Sequence, residues 1–88
     1  MKLNKSVGTT ALFCYAVPYG KTAQVTIQNL SVNNVYIIDN GMQAVANGIK
    51  LLAGAVSTNE TFRGQLWLIA DGVTSDIRID ISFEGSEP

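Results

Sequence analysis

The chain has 88 residues, 47% of them apolar and only 15% charged, with a formal net charge of -1 and its six basic side chains dispersed between Lys2 and Arg78. That length holds one domain, and the scattered charge excludes the concentrated positive field that nucleic-acid binding requires. With no histidine and a single cysteine, the Ser/His/Asp and Cys/His arrangements and the usual zinc and copper sites cannot be assembled, so neither an enzyme nor a cofactor is expected.

At the N-terminus, Lys2 and Lys5 precede VGTTALFCYAV, which has the outline of a signal peptide, but the polar Thr9 and Thr10 interrupt its apolar run. The run is too short to cross a bilayer as a helix, and Ala11 to Val17 reads instead as a strand of the folded chain. Cys14 lies inside it and is expected to be a small buried apolar residue. Residues 1–17 are expected to form an apolar strand or arm that contacts a partner, and residues 18–88 a β-sandwich core.

Further along, Thr22 to Leu30, Val35 to Asp39, Gly48 to Leu52, Ser57 to Phe62, Gln65 to Ala70 and Asp76 to Glu84 are β-type runs punctuated by Gly, Asn, Asp and Pro. Together with Ala11 to Val17 they predict an all-β fold, a compact antiparallel sandwich or jelly-roll-like barrel of about seven short strands. Met42, Val45, Ala46 and Ile49 keep helical spacing, yet Gly41 and Gly48 bracket them so closely that a loop or single turn is expected.

The clearest strand is SDIRIDISFE, where Ile77, Ile79, Ile81 and Phe83 alternate with polar residues, one face core and the other water. Asp71-Gly72 just before it suits a tight turn, which predicts an antiparallel hairpin of Gln65–Ala70 with Asp76–Phe83. VTIQNLSVNNVYI is harder to place. If its two runs pair across the Ser/Asn segment, either register leaves apolar groups on both faces, because shifting by one residue exchanges the faces.

Leu66-Trp67-Leu68-Ile69 and Leu12-Phe13-Cys14-Tyr15 also lack alternation, so both need cover on two sides. Soluble domains average about 25% charged residues, and the deficit here points to apolar surface covered by another molecule. The candidates for that contact are Leu12, Phe13, Tyr15, Tyr19, Tyr36, Ile38 and Trp67, with Tyr19 exposed in the Pro-Tyr-Gly turn. The carboxylates Asp39, Glu60, Asp71, Asp76, Asp80, Glu84 and Glu87 fall in turns or on a solvated strand face, and no spacing among them marks paired acid chemistry.

The succession VTIQNLSVNNVYI, GIKLLAG, a Thr/Arg/Gly junction, LWLIADG and SDIRIDI resembles a group of small virion proteins of tailed bacteriophages, over Val25 to Ile81. Lys50 stands where many of those proteins have proline, and residues up to Val17 lie outside the match. The resemblance implies a capsid decoration, or cement, protein of the virion surface, made in the host cytoplasm. Such a protein self-associates, with a homotrimer as the first expectation, and binds the major capsid protein to stabilise the shell. The alternative is a receptor- or carbohydrate-binding module of a phage tail or fibre. Neither nucleic acid nor membrane is an expected partner.

Overall fold

The computed structural model describes residues 1–38, 48–72 and 75–83. Among the described residues there is no helix, and eight strands form two sheets: β1 (Lys2–Val7), β2 (Leu12–Ala16), β3 (Ala23–Asn29), β4 (Val35–Ile38), β5 (Ile49–Leu51), β6 (Val56–Phe62), β7 (Gln65–Ala70) and β8 (Ser75–Phe83). One sheet has the order β1-β8-β3-β6 and the other β2-β7-β4-β5, with every pair antiparallel. The chain therefore wraps as one long hairpin, β1 against β8, β2 against β7, β3 against β6 and β4 against β5. Every connection but β4 to β5 passes from one sheet to the other. That is a jelly-roll sandwich, the all-β architecture expected from the strand pattern.

The strand missing from the sequence reading is β1. Leu3, Lys5 and Val7 face inward along it, and the lysine in the middle breaks the apolar alternation that would have marked a strand. Lys5 also blunts a free sheet edge, because an inward charge opposes pairing with a second chain. The N-terminal ammonium donates to Ile81 O at 2.8 Å and the Ile81 amide donates to Met1 O at 2.7 Å, which closes the β1–β8 ladder. Residues 1–17 are thus not an arm outside the β core: they supply an outer strand to each sheet.

The core lies between the sheets. Val25 and Ile27 from β3 and Ile77, Ile79 and Ile81 from β8 meet Val35, Leu66, Leu68 and Ala70 from the other sheet. Burying one such aliphatic side chain stabilises the fold by about 1.5–3 kcal/mol. The alternation of β8 holds over its whole described length, while Glu84 and Asp39 lie outside the described residues, as does the helical spacing from Met42 to Ala46.

Two expected pairings do not form. β7 and β8 belong to opposite sheets, so Gln65–Ala70 and Asp76–Phe83 face each other across the core instead of sharing a hairpin. Gly72 is not a positive-φ residue; the place its Cβ would take is filled by the Asn33 side-chain amide. β3 and β4 are likewise in different sheets, so no common register constrains VTIQNLSVNNVYI. Val25 and Ile27 turn inward from one sheet and Val35 and Ile37 from the other, leaving Tyr36 and Ile38 on the outer side.

The Ser/Asn segment between them is a hydrogen-bonded latch. Asn29, fully buried, donates to Asn33 O (2.8 Å), Leu51 O (3.2 Å) and Leu52 O (3.2 Å) and accepts from the Ser31 amide and hydroxyl. Asn34 continues it by donating from its backbone and side-chain nitrogens to the Asp71 carboxylate and accepting from the Ala53 amide. Asparagine suits this work because one side chain offers both donors and an acceptor to backbone groups outside any ladder.

In β2 the register slips between Phe13 and Tyr15, a bulge that leaves Cys14 unpaired and turned into the core. Its thiol donates to Leu12 O at 3.6 Å. Burial pushes the thiol up to about 11 from 9.0, against the opposing pull of the Lys5 charge and a Leu68 backbone hydrogen bond. The folded form then keeps its proton where the unfolded chain loses it, so this contribution is complete below pH 9 and disappears as pH rises toward 11. Between those limits the wild-type protein is expected to lose about 2–3 kcal/mol relative to Cys14→Ala in urea melts. Parallel pH profiles for the two proteins would contradict this.

Candidate interaction surface

The two sheets present opposite outer faces. On the β1-β8-β3-β6 sheet the outward residues are polar except for Val56, which stands opposite Gln28 at the start of β6: Lys2, Asn4, Arg78, Asp80, Gln24, Thr26, Gln28 and Thr58. Lys2 pairs with Asp80 at 3.2 Å, an exposed ion pair and the only one among the described residues. Thr26 and Thr58 join their hydroxyls at 3.2 Å across β3 and β6. This is a solvated face.

On the outer side of the β2-β7-β4-β5 sheet the residues are mostly aromatic and aliphatic, with Lys50 and Gln65 as exposed polar neighbours. Phe13 stands opposite Trp67, their rings edge-to-face with centroids 5.4 Å apart at 71°, and Ile38 and Tyr36 stand opposite Trp67 and Ile69. The Trp67 indole donates to Gln65 Oε1 at 2.8 Å, so its polar end is satisfied without water. Phe13 is well exposed and Tyr36 and Trp67 are half-buried, so three of the candidate contact residues share this outer face. Ile38 is 4% exposed and is therefore a buried residue of the protomer, contrary to its expected place at a partner surface. The chain at Gly48 lies over it, since a Cβ there would stand 2.8 Å from Tyr36 Cβ and 2.9 Å from Ile38 Cγ2.

Leu12 and Tyr15 part company with Phe13. Leu12 faces inward opposite Leu68, and the bulge at Cys14 returns Tyr15 inward opposite Leu66, with its ring 6.3 Å from that of Phe83. Both belong to the rim of the core. Tyr19 is fully exposed at the far side of a type II turn, where Lys21 N donates to Pro18 O at 3.0 Å and Gly20 takes φ 83°. The seven predicted contact residues thus fall into four places.

Apolar exposure is concentrated elsewhere, at the latch. Val32 is 92% and Ile49 70% exposed, and Leu30, Leu52 and Val56 are exposed beside them. The latch holds these groups at one corner, because Asn29 bonds to the Leu51 and Leu52 carbonyls and its own amide donates to Ala55 O. Just inside, Ile49, Ile37, Ile27 and Phe62 line an apolar cavity of about 120 Å³ between the open edges of β5 and β6. Sequence reasoning passed over Leu30 and Val32. Their signal was an aliphatic residue inside an Asn/Ser turn, where no strand face exists to hide it.

No group of three or more potential metal ligands occurs among the described residues, and every buried side-chain polar atom among them has a partner. Neither a family model nor a curated protein nor a solved structure matches the chain.

Proposed function

We propose that this chain is a structural protein of a virus particle, a capsid decoration protein that self-associates and binds the major capsid protein on the shell surface. The observation that carries the reading is the corner of exposed aliphatic side chains, Leu30, Val32, Ile49, Leu52 and Val56, on a domain too small to cover them. The likeness of Val25 to Ile81 to small phage virion proteins supports the particular assembly, and a homotrimer is the proposed state.

Energetics favours an array over a lone complex. The exposed parts of the five aliphatic groups amount to about three fully exposed aliphatic side chains, which at about 1.5–3 kcal/mol each give roughly 5–10 kcal/mol, of the size of the about 4–15 kcal/mol lost when two bodies become one. A single contact is therefore marginal, and repetition around a symmetric lattice makes it hold. The test is light scattering coupled to size exclusion across the micromolar range, on wild type and on the double variant Ile49→Lys/Val56→Lys. Wild type is expected to run as an oligomer and the variant as a folded monomer that still melts cooperatively. A monomeric wild type would overturn the proposal.

A second reading, a receptor- or carbohydrate-binding module of a tail or fibre, is favoured by the fully exposed ring of Tyr19 at the opposite end of the strands.

A further inference from the structure

The turn that carries Tyr19 forms one wall of a cleft of about 500 Å³, and the β6–β7 turn, Arg63-Gly64, forms the other. The walls are tied by Val17 N donating to Gly64 O at 2.9 Å. Both turns rest on glycines in the left-handed region, Gly20 and Gly64, each at φ 83°. Such positions are strained for other residues, which makes the two turns sharp and fixed in shape.

The chemistry of the cleft is one-sided. Among the described residues, Lys21 and Arg63 both line it and no carboxylate does, in a chain whose overall charge is negative. Neither cation belongs to an ion pair among the described residues. Gln65 is the third polar lining residue, and because its Oε1 already accepts from Trp67 Nε1, its amide NH₂ is the group left to offer. Tyr19 adds a fully exposed ring that packs against none of the described residues.

From this arrangement we infer that the cleft binds an anionic saccharide, a sugar carrying a carboxylate or sulfate. The Tyr19 ring lies against the apolar face of the sugar, Arg63 and Lys21 take the acid group, and the Gln65 amide donates to a hydroxyl. A ring with two flexible bonds supplies contact area at small entropic cost, and a guanidinium matches a planar acid with two parallel hydrogen bonds. This deepens the carbohydrate-binding reading and is independent of assembly. β3 and β6 each run from the aliphatic corner to this cleft, and seven residues of strand place the two about 20 Å apart. A molecule attached by one end presents the other.

The probes are an oligogalacturonate for a carboxylated sugar, a heparin-derived oligosaccharide for a sulfated one, a maltose oligosaccharide as neutral control, and inorganic sulfate and single-stranded DNA as bare anions. Titration by heteronuclear NMR reads both affinity and place. At least one acidic oligosaccharide is expected to shift the amides of residues 17–21 and 63–65. Tyr19→Ala and Arg63→Ala are each expected to weaken it by about tenfold or more, and Tyr19→Phe to leave it nearly unchanged. Both side chains are exposed, so the three variants keep the fold and the assembly measured by light scattering. Binding of no acidic sugar, unaltered binding by Tyr19→Ala, or equal binding of sulfate or DNA would overturn the inference.

Discussion

Replacing Asn29 with alanine is expected to lower the stability of the domain by about 4 kcal/mol, the largest effect of any single polar substitution in it. The side chain is fully buried and makes five hydrogen bonds: three donated to the carbonyls of Asn33, Leu51 and Leu52, and two accepted from Ser31. An orphaned buried polar group costs about 1–3 kcal/mol, and a methyl group offers none of them a partner. Aspartate is the sharper probe. It is the same size as asparagine, but a carboxylate cannot donate, so Asn29→Asp faces three carbonyl oxygens with a negative charge.

That carboxyl is held above its ordinary pKa in the fold, hence its protonated form is favoured, and the penalty of Asn29→Asp relative to wild type shrinks as pH falls through the folded value. Urea titrations at neutral and acid pH check both statements. An alanine variant within about 1 kcal/mol of wild type would mean that water replaces the latch without loss.

The latch also explains which parts of the molecule could be read in advance. Alternation in Ile77, Ile79, Ile81 and Phe83 identified β8 because each side chain meets one medium on each face. The all-β class followed from many short runs between turn residues. The pairing did not, because in a jelly roll nearly every connection changes sheet, and local turn signals such as Asp71-Gly72 describe a bend without saying which sheet the chain enters next. β1 escaped because a single inward lysine, Lys5, serves an edge and spoils a pattern.

The exposed apolar surface was legible in part for the same physical reasons. Phe13, Tyr36 and Trp67 belong to strands with apolar residues on both faces, which the sequence shows, whereas the face that each takes is set by the pairing of the strands in three dimensions. Leu12 and Tyr15 were misplaced because one bulged residue, Cys14, changes the phase of the strand, and nothing in Leu-Phe-Cys-Tyr distinguishes a bulge from a regular run. Leu30, Val32 and Leu52 owe their exposure to a hydrogen-bond network whose partners are far apart in the chain, from Asn29 to Leu52. Such partners come together only in three dimensions.

A chain that begins at Pro18 is expected not to fold. It lacks β1 and β2 and so one outer strand of each sheet, together with the buried Val7, Cys14 and Val17 and the inward Leu3, Leu12 and Tyr15. Three fully buried side chains at about 1.5–3 kcal/mol and three partly buried ones come to roughly 10 kcal/mol, comparable with the entire stability of about 4–13 kcal/mol for a domain of this size. Removal also strips hydrogen-bond partners from β8 and β7, which then present bare edges flanking the core. Circular dichroism and amide NMR dispersion are expected to report a collapsed or aggregated chain, and a cooperative melt of the truncated protein would refute this. The result bears on how partner binding is to be tested. If the truncated chain fails to attach to anything, the loss reports the missing fold, so contact by the N-terminal segment has to be read from Phe13→Ser. That substitution changes an exposed ring on an outer face and leaves both sheets paired. Loss of attachment with an intact melt would assign the contact to the aromatic face, and retention would leave it to the aliphatic corner at the latch.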